Sequence, residues 1–393
     1  MGCRVHTFLL GILSSLIIVA CGGNIKDVPE ILDIDVTDKS DSFDLSSLFD
    51  ENGKHSLVRL ETNEDCVIGE VTNLIQKYEK IFIVDNLTKS IYVFNVEGGF
   101  EYKISNYGRA RNEYIDMTDV YIGDRYIYIL DIISSKIILC SHEGKFEKVI
   151  RISDVWGHNM FVYNDDIYLM NKWSDSSNGL FRLFVLDHEG NLKSSLLPFK
   201  KRDLNRYFSQ ETAYAISTEG VRICYPSDNV IYTICGENDC IAAMYVDFNK
   251  QALPLKYATY NLLDIIREGI SDKYILGIDR LATSSRYLFL SYGYQSSKYT
   301  TIYDVKNKKC NNVKALHTKN YFNLSLNKYF LSDDYLISYI NAQSFKMVYE
   351  HVLKESMNAD DKYQSQVITL ANKIKSEDNG ILVIHQLKNM NDD

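Results

Sequence analysis

The chain reads as all-β: a six-bladed β-propeller with short helical insertions in its C-terminal half. Three observations predict this. One is a gapless internal repeat of 46 residues, another is the strand-only pattern within it, and the third is a length that accommodates about six such units. "IFIVDNLTKSIYVFNVEGGFEYKI" (81–104) lies over "IYILDIISSKIILCSHEGKFEKVI" (127–150) residue for residue. Each is a strand ending in an aspartate, a polar turn, a second strand, Glu-Gly, and a third strand.

The register carries on. Glu97-Gly98 recurs as Glu143-Gly144 and Glu189-Gly190, and the glycine alone returns at Gly236. Glycine suits those places because tight hairpin turns demand positive φ. A four-stranded unit near this length is the blade of a propeller, and the helical period a solenoid of helix pairs needs is missing. Helical spacing appears only at 252–271 and 347–378. Strand patterns resume at 286–294, 299–305, 328–340 and 380–387. The late strand "GILVIHQL" has no following blade, and "HSLVRLE" (55–61) precedes the first full repeat. The two are expected to share one blade, because an open sheet edge invites association.

The first twenty residues differ from all the rest. Arg4 precedes the apolar run "FLLGILSSLIIVA" (8–20), which is short for a membrane span and suits a signal peptide. Ile18-Val19-Ala20-Cys21-Gly22-Gly23 looks like a bacterial lipobox, making Cys21 the lipidated N-terminus of the mature chain. An ordinary signal peptide with a chance cysteine is the alternative. The expected organisation is a signal at 1–20, an acidic tether at 21–50 with a short strand near Ile31–Val36, and a single propeller domain at 51–393. The partner this implies is a membrane, reached through lipid, with a soluble and monomeric body. "GGNIKD" after Cys21 lacks a dense acidic surface-export signal, which favours the periplasmic side of the outer membrane.

Composition excludes other classes. The formal net charge is −9 with no long basic run, so nucleic acid is not an expected partner. Apolar content of 46% excludes global disorder, and 29 tyrosines suit half-buried strand surfaces. Export makes disulfides admissible. Cys235 and Cys240 flank the turn "GEND", and a bridge between them is one of two open readings. Cys66, Cys140, Cys224 and Cys310 sit in apolar strand patterns and read as core residues. No C-x-x-C, H-E-x-x-H, H-x-H or G-x-S-x-G pattern occurs, and no particular cofactor is indicated.

These residues resemble the six-bladed β-propeller lipoproteins of Bacteroides and its relatives. "LVRLETNEDCVIGEV" (57–71) is similar to that family's opening, "IFIVDNLTKSIYVFNVEGGF" to its first blade, and "NGILVIHQLK" (379–388) to its closing strand, with Gly380 in place of a proline. Gly108, Arg109, Glu113 and Tyr114 match a Gly-Arg-Gly-Pro-Gly-Glu-Tyr signature, from which Ala110, Arg111 and Asn112 depart. The resemblance implies a fold and an envelope location, and it lends no catalytic residues.

Candidate sites follow. Asp85 and Asp131 each end the first strand of a repeat. They are candidate ligands for a central cation, but their repetition favours turn capping. His142 and His188 share a repeat position and read as solvated turn residues. "SDSSNG" (174–179) faintly resembles a sialidase Asp-box without the trailing aromatic. Trp156, Trp173 and Tyr294 are candidate sugar-stacking rings, with packing between blades the commoner role. The cluster Arg109, Arg111, Glu113 and Tyr114 falls where the chain crosses from one repeat to the next. Arg109 and Glu113 are expected to form an ion pair or backbone clasp there, with Tyr114 as anchor and a ligand-face role as the second reading. The functional expectation is a non-catalytic binding or interaction module for an envelope protein or glycan. The alternatives are a propeller hydrolase, calcium-dependent and lactonase-like or glycan-cleaving, and an accessory subunit of a nutrient-uptake complex.

Overall fold

A computed structural model describes residues 29–392, apart from 37–38, 154, 173–180, 200–212, 218–219, 226–227, 236–238, 258–259 and 319–328. The signal, Cys21, Trp173, 174–179 and Gly236 therefore lie outside the described residues. Three strands precede the repeat: β1 (Glu30–Asp33), β2 (Ser40–Asp44) and β3 (His55–Arg59). The first blade is β4 (Asn73–Lys77), β5 (Lys80–Asp85), β6 (Ser90–Asn95) and β7 (Phe100–Ile104). The second is β8 (Asp119–Ile122), β9 (Ile127–Asp131), β10 (Lys136–Cys140) and β11 (Phe146–Arg151). The third is β12 (Asn159–Tyr163), β13 (Asp166–Met170), β14 (Phe181–Leu186) and β15 (Leu192–Pro198).

The fourth contains β16 (Tyr214–Ser217), β17 (Gly220–Ile223), β18 (Val230–Cys235) and β19 (Asp239–Asp247), with β1 parallel to β19. Helix α1 (Leu262–Arg267) follows. The fifth is β20 (Arg280–Thr283), β21 (Tyr287–Tyr294), β22 (Ser297–Asp304) and β23 (Lys309–His317), with β2 beside β23. The sixth has β24 (Tyr329–Ser332) and β25 (Tyr335–Ile340), then α2 (Ala342–Val348), a π turn at Tyr349–Leu353 and α3 (Lys362–Lys373), and finally β26 (Ile381–Gln386). Its fourth strand is β3, antiparallel to β26 with Ile381 opposite Arg59 and His385 opposite His55. The two ends of the chain thus share a blade, as the leftover strands at either end of the repeat require.

These described residues pack as two compact units. One takes in those up to 41, 213–282 and 287–314, and the other takes in 42–199, 283–286 and 315–392. In the second unit the middle strands carry unbroken apolar runs because both their faces are covered. Every residue of β10 and β13 is buried, as are Ile81–Asp85 of β5. Val58, Leu74, Ile81, Ile83, Phe94, Ile337, Leu382 and Ile384 form one such cluster. Each large apolar side chain buried this way contributes about 1.5–3 kcal/mol. The outer strand β7 instead alternates exposed and covered residues.

Hairpin glycines have a second reason beyond turn geometry. Gly98 and Gly190 have φ of +89° and +92°, and a Cβ on either would run into the carbonyl oxygen of Arg59 or Arg151, on the last strand of the blade before. The glycine is needed for the turn and for the seam between blades.

The stretch 21–50 was expected to be a tether with a short strand near Ile31–Val36; β1 overlaps that strand, and ordered structure continues beyond it. β1, β2 and a 3-10 turn at Leu45–Leu48 lie there, with Leu32, Ile34, Leu45 and Phe49 buried. Apolar residues spaced through an acidic stretch were enough to add edge strands. The helices also sit slightly off their expected spans: α2 starts at Ala342, capped by the Asn341 side chain accepting from the Ser344 N–H.

Candidate functional site

The loop between β7 and β8 holds the Arg109, Arg111, Glu113 and Tyr114 cluster. Glu113 accepts a hydrogen bond from the Ala110 N–H at 2.7 Å, and the Glu113 N–H donates to the Ala110 carbonyl. A Cβ on Gly108 would collide with the Glu113 carboxylate, which explains the glycine. The clasp is therefore made with the backbone. Among the described residues no ion pair joins Arg109 to Glu113, and both Arg109 and Arg111 are exposed. Tyr114 is fully buried, its hydroxyl donating to the Lys89 carbonyl at 2.7 Å, and burial pushes its phenol well above the ordinary value. Lys89 in turn pairs with Asp116 at 2.6 Å.

Asp85 and Asp131 turn out to be fasteners of one design. Asp85 Oδ2 accepts from the Gly69 N–H at 2.7 Å, while Oδ1 accepts from Leu87 and Thr88 at 2.9 and 3.0 Å. Asp131 Oδ2 accepts from Ile115 at 2.9 Å and Oδ1 from Ser134 at 3.1 Å. Each carboxylate caps its own turn and pins the segment that leads into its blade. Both residues are fully buried, which makes each backbone donor costly to leave unmade. Asn171 holds the corresponding place after β13, with its N–H bonded to the Arg182 carbonyl.

His142 is not a solvated turn residue. Its Nε2 lies 2.9 Å from the Gly123 carbonyl, and its ring stacks on Tyr78 at 4.7 Å. His188 is exposed beside Glu189. Trp156 packs into a core cluster with Leu130, Ile152 and Leu169, and Tyr294 packs at the edge of another. Cys240 carries a thiol, so the Cys235–Cys240 bridge is not formed; the Cys235 side chain lies outside the described set. Cys310, read from sequence as a core thiol, is disulfide-bonded. Burial pushes the Cys66 and Cys140 thiols up to about 12 and 11, away from nucleophilic duty.

Two features were missed from sequence. Asp119 opens β8, and burial pushes its carboxyl up to about 6 against the pull of the Met160 N–H, the Asn159 amide and the Val120 N–H. It works as a strut between β8 and β12. The second feature is a cavity of about 690 Å³ in the second unit, between the 68–71 loop and α2.

The cavity wall at 68–71 is held before any ligand arrives. Asn379 Oδ1 accepts from the Ile68 N–H at 2.9 Å, and its Nδ2 donates to the Glu61 and Cys66 carbonyls. Asp85 fixes Gly69 from the other side. Ile68, Val71, Met347 and Val348 supply apolar surface, and Asn341, Gln343, Ser344 and Ser376 supply amide and hydroxyl groups. Among the described residues no lysine, arginine or histidine lines it. Of its two acids, Asp378 is bonded to Arg59 at 2.8 Å, which leaves Glu70 as the uncompensated charge. The Ser338 hydroxyl is buried in this wall without a partner. Gly380 makes room here too, since any Cβ would strike the Tyr339 ring and the Ile340 carbonyl. The α2 wall comes from the helical insertion, and nothing in the 46-residue period places it against the 68–71 loop. The Asn341 cap, three residues before Ser344, was the readable signal.

Six sheets of this order define a six-bladed β-propeller. The chain belongs to the family described as a domain of unknown function, DUF4934, whose model matches residues 29–386. No curated protein matches it. Among solved structures it is similar to a Bacteroides fragilis protein described as a "Putative exported protein", at 19% identity and a TM-score of 0.72 over 91% of this chain and 100% of that one. It is also similar to a DUF4221 family member from Bacteroides vulgatus, at 10% identity and a TM-score of 0.51 over 86% of this chain and 97% of that one. Likeness at these identities speaks for the fold. No helix among the described residues is long and apolar enough to cross a membrane.

Proposed function

We propose that the chain is an exported, lipid-anchored propeller of the outer membrane that binds an uncharged glycan without transforming it. The observation that carries this is the cavity between the 68–71 loop and α2. Its volume of about 690 Å³ falls in the range of small-ligand sites. Amides and hydroxyls beside aliphatic surface match the alternating hydroxyls and C–H faces of a sugar. The absence of a basic lining residue among the described residues, with Glu70 present, disfavours anionic ligands. A non-catalytic role is supported by where the reactive candidates have gone: Asp85 and Asp131 are occupied by backbone donors, and the buried thiols are raised out of reach.

Two experiments test the proposal. Cys21→Ser should move the protein from the membrane to the soluble fraction, and unchanged membrane retention refutes the anchor. An array of neutral, acidic and basic oligosaccharides should retain the protein on neutral members. Retention on acidic members alone contradicts the glycan assignment.

A further inference from the structure

The stretch between the fourth and fifth blades, 252–275, is a small module of its own. Its ends are pinched together by a bridge between Ala252 and Ile275, with the Ile275 N–H donating to the Gln251 carbonyl at 2.7 Å. Inside it, α1 turns Ile265 inward against Ile270, with Leu253, Leu262 and Tyr274 packed around them. The outward residues are the unexpected ones. Leu255, Leu263 and Ile266 are 70%, 77% and 58% exposed, and Leu263 and Ile266 stand three apart on one helix face. Tyr257, Tyr260 and Tyr274 are half-covered, and Lys256 lies over the Tyr257 ring at 4.8 Å. Arg267 follows Ile266 directly and pairs with Asp264.

Apolar side chains with adjoining tyrosines and long basic residues are the chemistry of a membrane–water interface. There the aliphatic groups enter the acyl boundary while aromatic rings and snorkelling cations stay at headgroup level. We propose that this module rests on the phospholipid surface to which the chain is tethered. The proposal builds on the lipid-anchor reading, and the position of the tether supports it. β1, the first described strand, is hydrogen-bonded to β19 of the same unit, and β19 ends at Asp247, five residues before the module begins at Ala252. The Asp33 carboxylate, at the far end of β1, accepts from the Asn249 amide at 2.6 Å. Cys21 lies nine residues before Glu30, a span of at most about 30 Å. A lipid on Cys21 thus keeps the module within reach of the bilayer. Its charges are balanced, with Lys256, Arg267 and Lys273 against Asp264, Glu268 and Asp272, so a zwitterionic surface suffices.

The test uses the chain from residue 21 with an amino-terminal hexahistidine, captured on nickel-chelating lipid in phosphatidylcholine vesicles. Capture replaces the acyl anchor, so the outcome does not depend on whether Cys21 is lipidated in the cell; the Cys21→Ser fractionation decides that separately. A tryptophan introduced by Leu263→Trp is compared with one introduced by Leu87→Trp, which is equally exposed in the other unit. The signal of the native tryptophans is subtracted. Vesicles with brominated acyl chains should quench the probe at 263 at least about twofold more than the probe at 87, as insertion to the acyl boundary requires. Adding Leu255→Asp and Ile266→Asp should abolish the difference. Equal quenching at the two positions, or quenching at 263 that survives both aspartates, overturns the proposal.

Discussion

His55 and His385 face each other across the strand pair that joins the two ends of the chain, with their Nδ1 atoms 3.2 Å apart. His55 Nε2 lies 2.8 Å from the Asp50 carbonyl, so that nitrogen donates, and its Nδ1 must accept from the Nδ1–H of His385. Phe49 stacks on the His385 ring at 4.0 Å. His385 already carries its proton on Nδ1, so protonating it must place the second N–H on its buried Nε2.

Burial and the neighbouring His55 hold the His385 imidazole down at about 3. The unfolded chain therefore binds a proton here that the folded chain does not. This contribution to stability is complete above the unfolded value near 6.5 and is lost as pH falls toward 3, by up to about 1.4 kcal/mol per pH unit. Urea unfolding of wild type and His385→Phe from pH 7 to 4.5 should give curves that converge as pH falls. Asp119, whose raised carboxyl acts in the opposite sense between about pH 4 and 6, is common to both and drops out of the difference. Parallel curves would remove the histidine pair from the acid response.

The seam glycines are expected to differ in their tolerance. Gly98→Ala and Gly190→Ala set a methyl against the backbone carbonyl of the preceding blade, and each should cost about 3 kcal/mol in urea unfolding. Gly144→Ala meets only the Tyr102 ring, at 2.7 Å, and should cost less because a side chain gives way more readily than backbone. Gly293, with nothing near it, should accept alanine within about 0.5 kcal/mol. Equal losses at all four positions would contradict the seam explanation.

Asp85→Ala strips three backbone donors of their acceptor in a buried place and should destabilise the protein by about 3 kcal/mol. Since Asp85 and Asp131 accept from N–H groups, calcium should leave the thermal midpoint of wild type unchanged. A calcium-dependent rise that disappears in Asp131→Asn would restore the cation reading.

In the crossover loop, Tyr114→Phe should cost about 1 kcal/mol for the lost bond to the Lys89 carbonyl. Arg109→Ala and Arg111→Ala should each stay within about 0.5 kcal/mol, because both side chains are exposed. Chemical denaturation of the three variants ranks them directly; a large loss in Arg109→Ala would show that the clasp depends on charge after all.

Much of the fold was readable because the first blades obey one period, and period-two or fully apolar strands leave little choice of partner. The shared blade was legible in the orphan strand at 380–387, and the fastener role of Asp85 and Asp131 in their repetition. The cavity was not, because its walls come from Ile68–Val71 and Asn341–Val348, far apart in sequence and brought together where β3 and β26 share a blade. Of the two readings of Arg109 and Glu113, ion pair or backbone clasp, the clasp is the one formed, for a local reason: Gly108 leaves room for Glu113 to turn back onto its own loop backbone. β1 overlaps the short strand expected near Ile31–Val36, whereas the edge strand β2, largely exposed, hid in acidic sequence.

Titration calorimetry of the neutral oligosaccharides retained on the array, against wild type, Gln343→Ala, Ser344→Trp and Arg109→Ala, tests the glycan site most directly. Gln343→Ala should weaken binding about tenfold by removing one polar contact, Ser344→Trp should abolish it by filling the cavity, and Arg109→Ala should leave it intact. Affinity unchanged by Ser344→Trp would place the ligand elsewhere and contradict the site.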